Sequence, residues 1–266
     1  MNHDSRELLN LHGRTALVTG AGRGVGRRVA LHLAEHGAGT VVVNDFNADR
    51  AEIVAEEVRA RGGQALAVQA DVSDFSGVSD MFQAAREACG SIEILVNNAG
   101  NAGPHGNAQP DPPFWTQEPG DWEKYLDVNL YGVLNCTRHA LPSMVENRYG
   151  RVVTIISDAG RVGEAGMEVY SGAKAAAAGF VRSVARSVGR YGITANSIAL
   201  AATRTPFVAH ELEDTERSKT QLKRYIIRRF GEPEDAANMA LFLASEAASW
   251  ITGQTYPVNG GYSVGL

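Results

Sequence analysis

A chain of 266 residues, 44% hydrophobic and 21% charged, has ordinary globular composition and the length to bury a sizeable core without staples. Its net charge of −5 argues against a nucleic-acid binder, which would carry a basic stripe. Two cysteines, Cys89 and Cys136, are too few for a disulfide framework and lack metal-type spacing, so both are expected to be buried small hydrophobes in a reducing compartment, with no metal site.

The opening stretch, MNHDSRELLNLHGRTALVTG, lacks the basic and then apolar pattern of a secretion signal. No stretch approaches the ~18 uninterrupted apolar residues that a membrane span needs. A soluble cytoplasmic protein is expected, with neither nucleic acid nor membrane as partner.

Short β-branched runs alternate with helical patterns along the whole chain. Strands are expected at 15–19, 40–45, 65–71, 93–100, 151–157, 194–200 and 255–260. Helices are expected at 24–36, 47–61, 75–89, 119–148, 168–189 and 233–245. Runs such as TALVT and RVVTIIS are nearly continuous in apolar residues, as in strands covered on both faces. Strand alternating with helix predicts an α/β fold: one Rossmann-type domain over 1–266, a doubly wound parallel sheet of about seven strands with helices on both faces. Two stretches stand apart. Residues 101–120 are rich in Pro, Gly and polar residues and read as a long loop, and residues 203–231 read as a charged helical insertion, a substrate loop or lid.

TGAGRGVG (19–26) follows the first strand and opens the first helix, with glycines at 20, 22, 24 and 26. Glycine lets the backbone turn sharply and approach a pyrophosphate, to which the helix N-terminus offers amide donors. Asp45 ends the second strand, where a carboxylate accepts hydrogen bonds from a ribose diol and repels a 2′-phosphate. Arg23 pulls the other way, but the acid is expected to dominate, so NAD is favoured over NADP. EVYSGAK (168–174) places Tyr170 four residues before Lys174, a spacing that on its own is common on helix edges.

Together these stretches resemble the short-chain dehydrogenase/reductase family over nearly the whole chain. The family's glycine motif resembles Thr19–Gly26, with Gly20, Arg23, Gly24, Val25 and Gly26 at the cofactor. Its adenine-contacting pair resembles Asp71-Val72, and its NNAG stretch is similar to Asn97-Asn98-Ala99-Gly100. The catalytic Asn resembles Asn129, the Ser-Tyr-Lys set resembles Ser157, Tyr170 and Lys174, and the nicotinamide-facing Thr resembles Thr205. Two positions depart from the family pattern. Leu200-Ala201 stands where Pro-Gly is usual, and Asp158 follows the serine where a small residue is usual. Asp158 has three readings: it orients Ser157, contacts substrate or points to solvent.

The chemistry explains the Tyr-Lys spacing. Oxidising a secondary alcohol requires removal of its hydroxyl proton, and a free phenol near pKa ~10 is a poor base. An ammonium one turn away, helped by a cationic nicotinamide, stabilises the phenolate and lowers that value. Ser157 then holds the substrate oxygen. The resemblance further implies that Lys174 bonds the nicotinamide ribose, and that Asn129 binds a water linking Lys174 to solvent. The small residues 171–179 suit close packing on neighbours and cofactor, and equally a buried helix of good helix formers.

Other segments are less telling. HELED (210–214) reads as a polar lid segment, and Phe114, Trp115, Val162, Met167 and Phe207 are candidates for an apolar substrate pocket. KRYIIRR (223–229) fits a solvated face of an amphipathic helix, or a site for the phosphates of a coenzyme A thioester. FGEPEDAA (230–237) and VNGGY (258–262) are similar to the branch containing 3-oxoacyl carrier-protein reductases and alicyclic or hydroxyacyl-CoA dehydrogenases. The resemblance implies a homotetrameric, NAD-linked alcohol dehydrogenase with an alicyclic, steroid-like or 3-hydroxyacyl substrate. An NADPH-linked 3-oxoacyl thioester reductase and a non-catalytic dinucleotide sensor are the alternatives.

Overall fold

In the computed structural model, the described residues are 7–103, 111–206 and 215–265. Phe207 and the HELED segment therefore lie outside the described residues. Seven parallel strands form one sheet: β1 (Ala16–Val18), β2 (Val41–Asp45), β3 (Ala65–Gln69), β4 (Ile94–Asn97), β5 (Gly150–Ser157), β6 (Ile193–Leu200) and β7 (Thr255–Val258). Their order is β3-β2-β1-β4-β5-β6-β7, so the winding reverses between β1 and β4. The expected strands are all present, most of them trimmed by a residue or more at an end.

Alternation along the strands divides the core between two helical layers. Ala16 and Val18 of β1 pack with one layer, α1 (Gly24–Glu35), α2 (Ala48–Ala60) and α9 (Pro233–Ala244), while Leu17 between them faces the other. That second layer contains α3 (Phe75–Cys89), α5 (Gly132–Asn147) and α7 (Glu168–Val188). Phe82 of α3 is among the largest fully buried side chains. No helix among the described residues is long and apolar enough to cross a membrane.

The expected continuous helix at 119–148 is a correction. It divides into α4 (Pro119–Leu126), a π-helical turn (Asp127–Tyr131) and α5. The side chain of Asn129 turns inward within that turn and donates to the Tyr125 carbonyl at 2.9 Å. Among the described residues of the 203–231 region, helix is confined to α8 (Glu216–Leu222). Residues 223–229 form turns rather than an amphipathic helix, because Tyr225 is buried against Phe230 and Tyr262 while Ile226 and Ile227 face outward. A short helix that the sequence reading missed, α6 (Ala159–Val162), follows β5. Cys136 is buried as expected, but Cys89 is only half-buried, its thiol donating to the Ala85 carbonyl.

Truncating Phe82 to alanine removes a core anchor beneath β1 and β4. We expect a loss of about 3–5 kcal/mol, read as a lower urea midpoint with an unchanged slope.

Candidate active site

The reversal between β1 and β4 opens a cleft of about 500 Å³ at the carboxyl ends of the strands, where ligands bind in open α/β sheets. The glycine loop forms its floor. Gly24 has φ +54°, and a Cβ there would meet Thr205 at 3.1 Å. At Gly26 a Cβ would lie 2.4 Å from the Gly20 carbonyl and from Asn98 Nδ2, so any side chain would break the turn. No side chain caps the start of α1, which leaves its first amides directed at the cleft.

Asn98 holds this loop against β4. Its Nδ2 donates to the carbonyls of Thr19 (2.9 Å) and Gly20 (3.0 Å), while Thr19 Oγ1 accepts from the amides of Asn98 and Ala99. One residue earlier, Asn97 is buried and donates to Thr137 and Thr154, tying β4 to α5 and β5. Asp45 closes the far end of the cleft. Its carboxylate accepts the Gly22 amide at 3.0 Å and the Asn47 amide at 3.0 Å, so its position is set by the backbone. Arg23 and Arg50 flank it on the cleft wall. Burial and repulsion from Arg50 push Arg23 below the usual arginine range, with Asp45 opposing.

Gly20, Arg23, Gly24, Val25, Gly26, Asp45, Asp71, Val72, Asn98, Ala99, Gly100 and Thr205 all line this one cleft. The sequence reading missed Asn44, Phe46, Arg50, Ala70, Asn101 and Val128, which line it too. Arg50 was recognisable in principle, as a cation in the first turn of the helix that follows the acid. Asp71 is braced by its own turn, accepting from the amide and hydroxyl of Ser73.

Ser157, Tyr170, Lys174 and Asn129 gather at the other end. Ser157 ends β5, its hydroxyl donating to the Leu200 carbonyl at 3.5 Å and lying close enough to Tyr170 on α7 to influence its ionisation. The Ala159 amide donates to Ser157 Oγ at 3.2 Å. Lys174 is buried, its Nζ donating to the Ile155 carbonyl at 3.0 Å and lying 5.9 Å from the Tyr170 ring centre. Asn129 is fully buried and donates to the Asn101 carbonyl at 2.7 Å. It faces Lys174 across Gly100, where a Cβ would come within 3.1 Å of Asn129 Oδ1 and 3.2 Å of Lys174 Nζ. The ring of Tyr125, four residues before Asn129, meets Tyr170 edge-on at 6.5 Å.

The electrostatics differ from expectation at Tyr170. Burial raises the phenol above its ordinary value, and the Ser157 hydrogen bond only partly offsets this. Burial also pushes Lys174 down to about 8. Each charged form is disfavoured alone in a poorly solvated site.

Of the three readings of Asp158, burial excludes the one that points it to solvent. It is buried, and its carboxylate bonds to Arg161, Asn259 and Ser263 rather than to Ser157 or solvent. The loop after β6 is pinned despite Leu200-Ala201. Tyr225 Oη accepts the Ala202 amide, and Thr203 bridges to Gly231. Among the pocket candidates, Trp115 is 83% exposed and Phe114 stacks on Trp122, so neither is enclosed. Val162 is also exposed. Among the described residues no cluster of His, Cys, Asp or Glu could hold a metal.

A family model described as enoyl-(acyl carrier protein) reductase matches residues 20–263. The chain is 37% identical over 251 residues to the 3-oxoacyl-[acyl-carrier-protein] reductase FabG of Staphylococcus epidermidis, covering 93% of this chain and 98% of that protein. It is 38% identical over 258 residues to the (2S)-[(R)-hydroxy(phenyl)methyl]succinyl-CoA dehydrogenase subunit BbsD of Thauera aromatica, covering 96% and 99%. A solved 7α-hydroxysteroid dehydrogenase, complexed with NADH and 7-oxo glycochenodeoxycholic acid, superposes with a TM-score of 0.89 at 36% identity, covering 97% of this chain and 98% of that one. Fold and relatives define an oxidoreductase acting on CH–OH groups. The chain belongs to the short-chain dehydrogenase/reductase family.

Lys174 provides a pH test. The folded protein holds this proton less tightly than the unfolded chain, so the unfolded state binds more protons between about 8 and the unperturbed value of 10.5. Stability should therefore rise with pH across that window, by about 3 kcal/mol in full. In Lys174→Met the rise should be absent, as read by denaturant midpoints at both ends of the window.

Proposed function

We propose that the chain is an NAD-dependent oxidoreductase interconverting a secondary alcohol and a ketone, with Tyr170 as general acid/base. The observation that carries this reading is the convergence of Ser157, Tyr170 and Lys174 beside a cleft that ends on the Asp45 carboxylate. The cleft fits a dinucleotide. Its glycine floor leaves no room for side chains, the uncapped start of α1 suits a pyrophosphate, and Asp45 can accept from ribose hydroxyls. When bound, the oxidised cofactor accepts a hydride from the carbinol carbon.

The protein's own residues handle the proton. Ser157 holds the substrate oxygen; the Ala159 amide already occupies one of its acceptor positions, which helps aim the hydroxyl hydrogen. Tyr170 takes the hydroxyl proton during oxidation and returns it during reduction. Burial makes a lone phenolate and a lone ammonium costly, but together they form a compensated pair. Lys174 thereby lowers the cost of ionising Tyr170. Asn129, opposite Lys174 across Gly100, is placed to pass protons outward through a water.

The named relatives share a feature: each acts on an oxygen-bearing carbon of a large acid, thioester or sterol skeleton. We infer a secondary alcohol of that size class, alicyclic, steroid-like or 3-hydroxyacyl, approached past the 203–231 segment acting as a lid on a single-domain, homotetrameric enzyme. An NADPH-linked 3-oxoacyl reductase is the second reading, favoured by Arg23 and Arg50 beside Asp45.

Formation of reduced cofactor with a panel of cyclic, steroid and 3-hydroxyacyl alcohols tests the reading. We expect turnover with NAD that falls about 10²–10⁴-fold in Tyr170→Phe. Tight dinucleotide binding without turnover in either direction would identify a sensor instead. Asp45→Asn keeps the acceptor for Gly22 but loses the charge, and should raise the NADP-to-NAD ratio of kcat/KM by about tenfold or more. A wild type that already prefers NADP, with no gain in the variant, supports the reductase.

A further inference from the structure

The residue after Ser157 is a carboxylate with 1% exposure. Asp158 Oδ1 accepts from Arg161 Nη1 at 2.6 Å, and Oδ2 accepts from Asn259 Nδ2 at 2.6 Å and Ser263 Oγ at 2.8 Å. Two of these partners lie about a hundred residues downstream, in the segment after β7. Arg161 reaches the same segment directly, donating to Ser263 Oγ at 3.0 Å and the Gly265 carbonyl at 3.1 Å. Asn259 closes the knot by donating to the Ser263 carbonyl at 3.0 Å.

Residues 259–265 form no helix or strand, and Val264 within them is exposed. Apart from the packing of Tyr262 on Tyr225, their attachment is polar, and the buried Asp158 carboxylate gathers charged and neutral donors at its centre. The segment in turn bonds to two neighbouring loops. Tyr262 Oη donates to Glu164 at 2.6 Å, and Arg224 lies 4.4 Å over the Tyr262 ring and 3.4 Å from Glu164. The Ile227 amide donates to the Gly260 carbonyl at 2.8 Å.

That backbone link joins the knot to the 222–230 stretch, while the Asp158 amide, donating to the Leu200 carbonyl at 2.9 Å, continues the β5–β6 ladder beside it. The stretches 158–164 and 222–230 thus both bond to residues 259–265, and Asp158, at the centre of the knot, adjoins Ser157.

We propose that Asp158 is a positioning residue: it fastens residues 259–265 as a fixed wall of the alcohol site and sets the direction of the Ser157 hydroxyl through the Ala159 amide. This inference rests on the dehydrogenase reading given above. It assigns the acid to the geometry of the alcohol, not to the cofactor, whose cleft is lined by none of these residues.

The test uses the full-length protein with NAD and whichever alcohol the wild type turns over, comparing Asp158→Ala and the milder Ser263→Ala. Ser263 belongs to none of the buried apolar clusters, so its loss leaves the core intact. We expect Asp158→Ala to raise KM for the alcohol about tenfold and lower kcat. Ser263→Ala should raise KM about threefold. The NAD dissociation constant should stay within about twofold in both, and amides in 259–265 should exchange hydrogen faster. Faster exchange with unchanged KM and kcat would overturn the positioning role and leave the dehydrogenase reading intact. Unchanged exchange would overturn the anchor itself. A folded wild type that binds NAD yet turns over nothing would defeat the dehydrogenase reading, and this inference with it.

Discussion

Where the winding of a parallel sheet reverses, two neighbouring strands send their chains to opposite faces, and a crevice opens between them. In this protein that crevice lies between β1 and β4, and its shape depends on a small set of hydrogen bonds. Asn98 spans it with two bonds to the carbonyls of Thr19 and Gly20, and the Thr19 hydroxyl accepts two in return. Ala21 and Val25 bury beneath the loop, and the clasp fixes its upper edge against β4. Asp45 is fixed in the same way, through the Gly22 amide, so the acid and the loop move as one piece.

The other half of the site depends on exclusion of water. Tyr170 and Lys174 are each pushed towards their neutral forms by burial, one upwards and the other downwards. In bulk solvent the two groups would scarcely notice each other; where water is excluded, a charge on one favours the opposite charge on the other. Gly100 keeps Lys174 and Asn129 close, and Tyr125 packs an aromatic edge against Tyr170. Packing thus prepares the chemistry as much as any single polar contact does.

Much of this architecture was legible from local pattern. Strands covered on both faces leave near-continuous apolar runs, and a glycine loop between strand and helix leaves spacing that few other structures require. The line from Gly20 to Thr205 was readable because each position sits at the carboxyl end of a strand or just beyond it. The misreadings share a cause: they depend on partners distant in sequence. Asp158 looked ambiguous because its ligands, Asn259 and Ser263, lie across the molecule. Residues 223–229 have helical spacing of charges and isoleucines, yet burial of Tyr225 overrides it. The π turn carries no propensity signature, since the residues that form it suit an α-helix equally well.

That turn has a consequence for how the enzyme can change. An α-helix advances ~100° per residue, so one residue more or less re-aims everything beyond it. The irregular turn lets α4 direct Tyr125 at Tyr170 while α5 directs Val133, Cys136, Ala140 and Met144 into the core. A single deletion between Asp127 and Tyr131 would regularise the helix and satisfy its backbone better, yet rotate one of those two faces away. The site is built on a helical fault, and mutations that repair the fault gain order at the expense of aim.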